Sequence, residues 1–103
     1  MPTKIFNFFN LKPGVDVEAY KKFSRENNQP LCRQQPECYM FQDYIVKGEA
    51  NGKPFYMVIE EIEAESFEVW QKKVYSSLFD ELNRQWFEFI DKDSLIEIYC
   101  ETI

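Results

Sequence analysis

Residues 39–63 read YMFQDYIVKGEANGKPFYMVIEEIE. Two β-prone, aromatic-rich runs flank Asn51-Gly52, the dipeptide best suited to the left-handed positions of a tight hairpin turn. A strand is expected from about Tyr39 to Glu49, and its return from Pro54 to Glu63. Counting outward from the turn sets Ile45 opposite Val58, Asp43 opposite Glu60 and Phe41 opposite Ile62, all on one face. Met40, Gln42, Tyr44 and Val46 share the other face with Phe55, Met57, Ile59 and Glu61. A three-residue loop, Ala50-Asn51-Gly52, would shift this register and flip one strand. The second set is the richer in bulky apolar groups near its middle. It is therefore assigned to the helices, and the first set to a partner subunit.

On the N-terminal side, Lys4-Ile5-Phe6-Asn7-Phe8-Phe9-Asn10-Leu11 is a strand with apolar groups on both faces, stopped by Pro13-Gly14. Asp16 suits an N-cap, with Val15 placed to staple onto Tyr20. Val17, Tyr20 and Phe23 keep helical spacing, which predicts a helix from about Val17 to Asn27. Asn28 to Glu37, with Pro30 and Pro36, reads as a loop. On the C-terminal side Ser66 caps a helix whose stripe is Phe67, Trp70, Val74 and Leu78. Ser76-Ser77 followed by Asp80 repeats the cap pattern, so a break is expected there before Phe79, Leu82, Trp86, Phe89 and Ile90 carry the stripe onward. Ser94 to Thr102 is the last strand, with Leu95, Glu97 and Tyr99 on one face and Ile96, Ile98 and Cys100 on the other. The order β-α-β-β-α-β is that of an α+β, ferredoxin-like split βαβ domain. It has a four-stranded antiparallel sheet with helices on one face, spanning residues 1–103 as a single domain. Helices cover only one side, and the strands are apolar on both. A homodimer joined through the sheet faces follows, because a monomer would leave a large apolar patch wet.

Composition excludes several classes. Aromatics make up 17% of the 103 residues, a bulk that a disordered chain lacks. Eighteen acids against twelve bases give a net charge of −6, which repels nucleic acid and anionic membranes. Apolar runs are far too short for a membrane helix, and no signal-like opening is present, so a cytoplasmic protein is expected. The chain has no histidine. That removes Ser-His and Cys-His nucleophiles and histidine metal sites. Cys32, Cys38 and Cys100 are expected to be free thiols, and their scatter does not suit a metal site. Without a glycine-rich phosphate loop or dinucleotide fingerprint, no cofactor is expected.

What remains is the hairpin. Like charges avoid facing positions, so Asp43 opposite Glu60 stands out. In an apolar cavity such a pair has one raised pKa and can serve as acid or base; at an open rim each acid is merely solvated or paired to lysine. Asp43 and Glu60 are the candidate catalytic residues. Phe41 and Val58 would share their wall, and Asn7 and Glu97 are single polar groups in otherwise apolar strands; the plainer reading has each bond a neighbouring backbone group, and for Asn7 that reading is favoured. Tyr56 and Tyr99 offer phenols for an aromatic ligand; the plainer reading makes them good strand residues with wet hydroxyls. Trp70 and Trp86 are read as core, and Met40 and Met57 as gap-fillers.

The aromatic first strand KIFNFFNLKPGVD, the Asn-Gly hairpin and the broken helix FEVWQKKVYSSLFDELNRQWFEFID leading to SLIEIYCETI together resemble the dimeric α+β barrel superfamily. More narrowly, size and strand sequences are similar to the small RedY-like (HapK) proteins associated with prodigiosin-type tripyrrole pathways. The resemblance covers nearly the whole chain, as a pattern of elements and not as a catalytic motif. It implies two split-βαβ subunits packed sheet to sheet, and a role in secondary metabolism on a small aromatic or pyrrolic molecule held in a dimer cavity. Two readings stand side by side: a cofactor-free enzyme, or a non-catalytic, stress-related dimer that protects or delivers a hydrophobic molecule.

Overall fold

The computed structural model describes residues 2–103. Strand β1 (Thr3–Leu11) leads into helix α1 (Val17–Phe23), capped by the Asp16 carboxylate, which accepts from the Glu18 amide at 3.0 Å. A π-helical turn over Ser24–Asn28 joins α1 to α2 (Gln29–Arg33) without a break. Strand β2 (Cys38–Ile45) and β3 (Val58–Ala64) form the hairpin. Helix α3 (Phe67–Val74), a 3₁₀ turn over Ser77–Phe79 and α4 (Asp80–Phe89) precede the edge strand β4 (Ile90–Cys100). The antiparallel sheet has the order β2-β3-β1-β4. This is the expected split βαβ topology. Ser66 caps α3 by accepting from the Val69 amide at 3.1 Å, and the helical stretch breaks at Ser76-Ser77 as expected.

The loop expected over Asn28–Glu37 is instead helical as far as Arg33. Pro30 lacks an amide hydrogen and would break a regular helix. Here it falls in the first turn of α2, directly after the π turn, where the hydrogen-bond ladder is already interrupted. The strands of the hairpin are also shorter than expected, and the turn sits one residue earlier, with Glu49 bridging Gly52. Their register is nevertheless the one counted from Asn51-Gly52: Ile45 faces Val58, Asp43 faces Glu60 and Phe41 faces Ile62. Strand β4 starts earlier than predicted, at Ile90, and a bulge opposite Phe8–Asn10 absorbs the extra residues.

The two faces of the sheet are the reverse of the expectation. Phe41, Val58 and Ile62 pack toward the helices, in one core with Ile5, Phe9, Leu11, Tyr20, Trp70, Phe79 and Ile90. The other face carries Phe6, Phe8, Tyr44, Ile59, Ile96 and Ile98 and is uncovered in the single chain. Comparing bulk on the hairpin alone misleads, because the central strand decides. In β1 the residues beside Val58, Glu60 and Ile62 are Phe9, Asn7 and Ile5, whereas Phe6 and Lys4 lie beside Glu61 and Glu63. Lys4 pairs with both of those glutamates at 3.3 Å, which keeps that face solvated along part of its length. Leu78, expected on the buried stripe, is exposed, since it lies in the 3₁₀ turn where helical periodicity is lost.

Candidate functional site

The helical stretch from Val17 to Arg33 presents Tyr20, Ser24, Asn28 and Cys32 to the sheet at intervals of four residues. All four are buried. Directly beneath them, Asp43 on β2 and Glu60 on β3 face each other. Asn28 spans the two, its Nδ2 donating to Glu60 Oε2 at 3.0 Å and reaching Asp43 Oδ2 at 3.3 Å. Asn7, from the central strand, donates to Glu60 Oε1 at 3.0 Å. Asp43 Oδ2 also accepts from Ser24 Oγ at 2.5 Å and from Tyr20 Oη at 3.3 Å. Gln29 holds Ser24 in place by donating to its Oγ at 3.0 Å. Arg33 then ties α2 to β2, its Nε donating to the Phe41 carbonyl at 2.8 Å and its Nη2 to Gln29 Oε1 at 2.8 Å.

Among the described residues no lysine or arginine forms an ion pair with either carboxyl of this pair. Two buried carboxylates in contact cannot both stay ionised, so a proton takes the place of a cation. Burial, then the neighbouring Asp43 charge, holds Glu60 well above the usual carboxylate range. Burial also raises Asp43, but hydrogen bonds from Glu60, Ser24, Asn28 and Tyr20 favour its ionised form. Asp43 Oδ1 is buried and otherwise unpartnered. These directions favour a single proton on the pair, held by Glu60 beside Asp43. The same burial and the same two acids push the Tyr20 phenol and the Cys32 thiol up, so both are neutral at physiological pH.

Glu60 forms part of the wall of a cavity of about 100 Å³ between the sheet and α3–α4. Asn7, Asn28, Trp70, Trp86 and Phe87 line it, with Gln71, Tyr75 and Glu97 toward its mouth. A dry cavity of about 150 Å³ takes a benzene ring. This space is smaller, so it takes only part of such a ring, the remainder lying toward the mouth. Edge-to-face packing of Trp86 on Phe9, at 5.3 Å between ring centres, fixes the indole against the core. Among the described residues no three His, Cys, Asp or Glu side chains converge as a metal ion would require.

The sequence-derived residues divide. Asp43 and Glu60 share one face, and Asn7 and Phe41 join Glu60 at the cavity. That face meets the helices of the same chain, so the pair does not line a wall between two sheets as expected. Val58 is fully buried in the core beneath the cavity and does not line it. Glu97 stands at the mouth and accepts from Gln71 Nε2 at 2.6 Å. Tyr99 lies outside, stacked on Phe67 at 4.3 Å between ring centres. Tyr56 packs on Phe8, on the opposite side of the sheet. Sequence reasoning missed Tyr20, Ser24, Asn28 and Trp86 as site residues. The signal for the first three was their four-residue spacing; Tyr20 and Ser24 lie in the expected helix, whereas Asn28 fell in the stretch that Pro30 and Pro36 made read as a loop.

Comparison with known proteins follows the same lines. A family model described as REDY-like protein HapK matches residues 3–103. The crystal structure of HapK from Hahella chejuensis superposes with a TM-score of 0.80 at 17% identity, covering 100% of this chain and 93% of that one. A DABB family protein with a ferredoxin-like fold from Mesorhizobium loti gives 0.73 at 13% identity, over 99% and 97% of the two chains. A dimeric protein of unknown function and ferredoxin-like fold from Bacteroides fragilis gives 0.69 at 10% identity, over 98% and 96%. At these identities the structural likeness speaks for the fold. No curated protein matches the chain in sequence.

Proposed function

We propose, for a chain that belongs to the REDY-like HapK family, that it serves the biosynthesis of a prodigiosin-like pyrrole pigment by holding an aromatic or pyrrolic intermediate in the cavity between sheet and helices and moving a proton on it. The observation that carries this reading is the buried Glu60, facing Asp43 across the strands without a cation partner among the described residues, on the wall of a cavity lined by Trp70, Trp86 and Phe87. Burial raises both acids, so the pair holds its first proton firmly and its remaining carboxylate is a stronger base than an exposed aspartate. It is therefore suited to act as a base toward a bound ring. Asn7 and Glu60 offer hydrogen bonds to a ring N–H, while the aromatic lining takes the ring itself. The cavity takes the inner edge of a ring, and the rest of the intermediate would extend past Gln71 and Glu97. No step of this kind needs a metal or redox cofactor.

The uncovered sheet face, with Phe6, Phe8, Ile59, Ile96 and Ile98, is assigned to a second copy of the chain in a cytoplasmic homodimer. Tyr56, beside Phe8, would then belong to the interface and not to the ligand site. A second reading follows from the near-complete enclosure of Glu60: the protein binds and delivers its ligand without converting it, the carboxyl serving only as a hydrogen-bond acceptor. Incubating the protein with pyrrole and bipyrrole aldehydes, then measuring bound compound and conversion by mass spectrometry, separates the two. The catalytic reading expects conversion by the wild type that collapses in Glu60→Gln while compound still binds. Binding without conversion favours delivery, and neither binding nor conversion refutes both.

A further inference from the structure

The carboxyl pair lies between two separate openings. Glu60 lines the interior cavity with Asn7 and Asn28 and is absent from the surface groove. Asp43 lines that groove, about 300 Å³ in volume, between α1 and the β2 edge, together with Tyr20, Ser24 and Gln42, and is absent from the cavity. We infer that Glu60 and Asp43 form a two-station proton relay, carrying protons between the enclosed cavity and solvent in the groove.

Three features support the relay. Cross-strand register sets the two carboxyls face to face, and Asn28 contacts both. Asp43 Oδ1 is the one buried carboxyl oxygen of the pair without a partner from outside it, and so is the free acceptor for the Glu60 proton. On the groove side, the Ser24 and Tyr20 hydroxyls on Asp43 Oδ2 both line the opening, which gives the aspartate hydroxyl partners leading to water. The groups facing the pair are Tyr20, Ser24 and Asn28 above it, Cys32 and Gln29 beside them, and Asn7 on the central strand. Lys21 and Arg25 are the charged groups that line the groove beside Asp43, Lys21 being paired to Glu18.

The inference rests on the cavity being the ligand site, and it assigns the direction of proton flow there. The proton on Glu60 crosses to Asp43 as a ring X–H gives its own proton to the other Glu60 oxygen, and the electron pair of the broken bond stays on X. Asp43 then passes its proton to water in the groove. One proton has then moved from ligand to solvent, and the pair is left with the single proton it began with.

The test needs no ligand. Deuteration shifts the infrared carbonyl band of a protonated carboxyl, so rapid mixing into D₂O reads how fast the Glu60 proton reaches solvent. The measurement is made at a pH low enough to keep Glu60 protonated in every variant. Asp43→Asn and Asp43→Ala should both slow the exchange by roughly 10²-fold, the lower end of what a positioned acid–base group contributes. Formate should restore the rate in Asp43→Ala, where it enters the vacated space, and not in Asp43→Asn, where the amide fills it. Exchange at the wild-type rate in Asp43→Asn overturns the relay, as does a slowing in Asp43→Ala that formate leaves untouched. Should Asp43→Ala fail to fold, the near-isosteric Asp43→Asn decides alone. A relay that exchanges as described in a protein that binds no pyrrole compound would refute the proposed function and leave the relay standing.

Discussion

Replacing Glu60 by Gln should make the protein less sensitive to pH, and the sign of the effect is unusual for a carboxylate. Glu60 is raised in the folded state by burial and by Asp43. Between its unfolded pKa of about 4.3 and its higher folded value, the native chain therefore holds a proton that the unfolded chain has lost. Stability linked to this group is full below the unfolded pKa and falls as pH rises, by about 1.4 kcal/mol for each pH unit within that window. Gln cannot titrate, so that slope disappears. The amide can still accept from Asn7 and donate to Asp43, but its NH₂ cannot accept from Asn28. Losing that hydrogen bond, 3.0 Å in the wild type, costs about 1 kcal/mol. The variant should thus be the less stable near pH 4 and the more stable at neutral pH, with the curves crossing about one unit above the unfolded pKa. Urea unfolding at a fixed protomer concentration, repeated from pH 4.5 upward, measures both curves. Asp43, also raised, contributes a slope of the same sign in both proteins and cancels to first order in the difference. Parallel curves, or a difference that grows in the opposite direction with pH, would refute the buried, protonated state of Glu60.

Three further outcomes follow. Ile98→Lys or Phe8→Lys, on the uncovered sheet face, should leave a folded chain that sediments near 12.4 kDa in place of twice that mass, whereas Val58→Lys should abolish folding because Val58 is fully buried in the protomer core. Asn28→Ala strips one donor from both acids and should cost roughly 1–3 kcal/mol in thermal or chemical denaturation, while raising Glu60 further. Ligand binding should survive chelators and reducing agents, as the three cysteines are free thiols and no metal-type cluster occurs among the described residues; loss on chelation with recovery on adding one metal would reveal a site built from carboxylates.

How much of this is visible in the sequence depends on which contacts decide each feature. The hairpin register is local: counted outward from a two-residue Asn51-Gly52 turn, and not from the three-residue alternative, it sets Asp43 against Glu60, and the strands pair so even though the turn itself forms one residue earlier. Both helix caps, at Asp16 and Ser66, are local too and appear where their side chains predict. Which face the helices cover is not local. It depends on β1, whose Ile5, Asn7 and Phe9 side with Ile62, Glu60 and Val58, and on Lys4 drawing Glu61 and Glu63 outward. An apolar count on the hairpin alone contains none of that. Pro30 and Pro36 argue for a loop by propensity, yet a π turn before Pro30 lets the helix continue and turns Ser24 and Asn28 onto the acids. The pairing of the two acids was thus legible, but the donors that surround them were not. Tyr99 on β4 and Tyr56 just before β3 show the same limit, since a phenol carries no mark of the side of the sheet on which its neighbours will enclose it.

The central claim is that one proton resides on Glu60, beside an ionised Asp43, at the wall of the cavity. Carbon-13 NMR of the glutamate side-chain carboxyls, followed through a pH titration of the intact protein, measures it at the residue itself. The account predicts that Glu60 retains its proton well above the pH at which the exposed glutamates have titrated, and that Asp43→Asn lowers its midpoint by removing the neighbouring charge. A Glu60 resonance that titrates together with the surface carboxylates would contradict it.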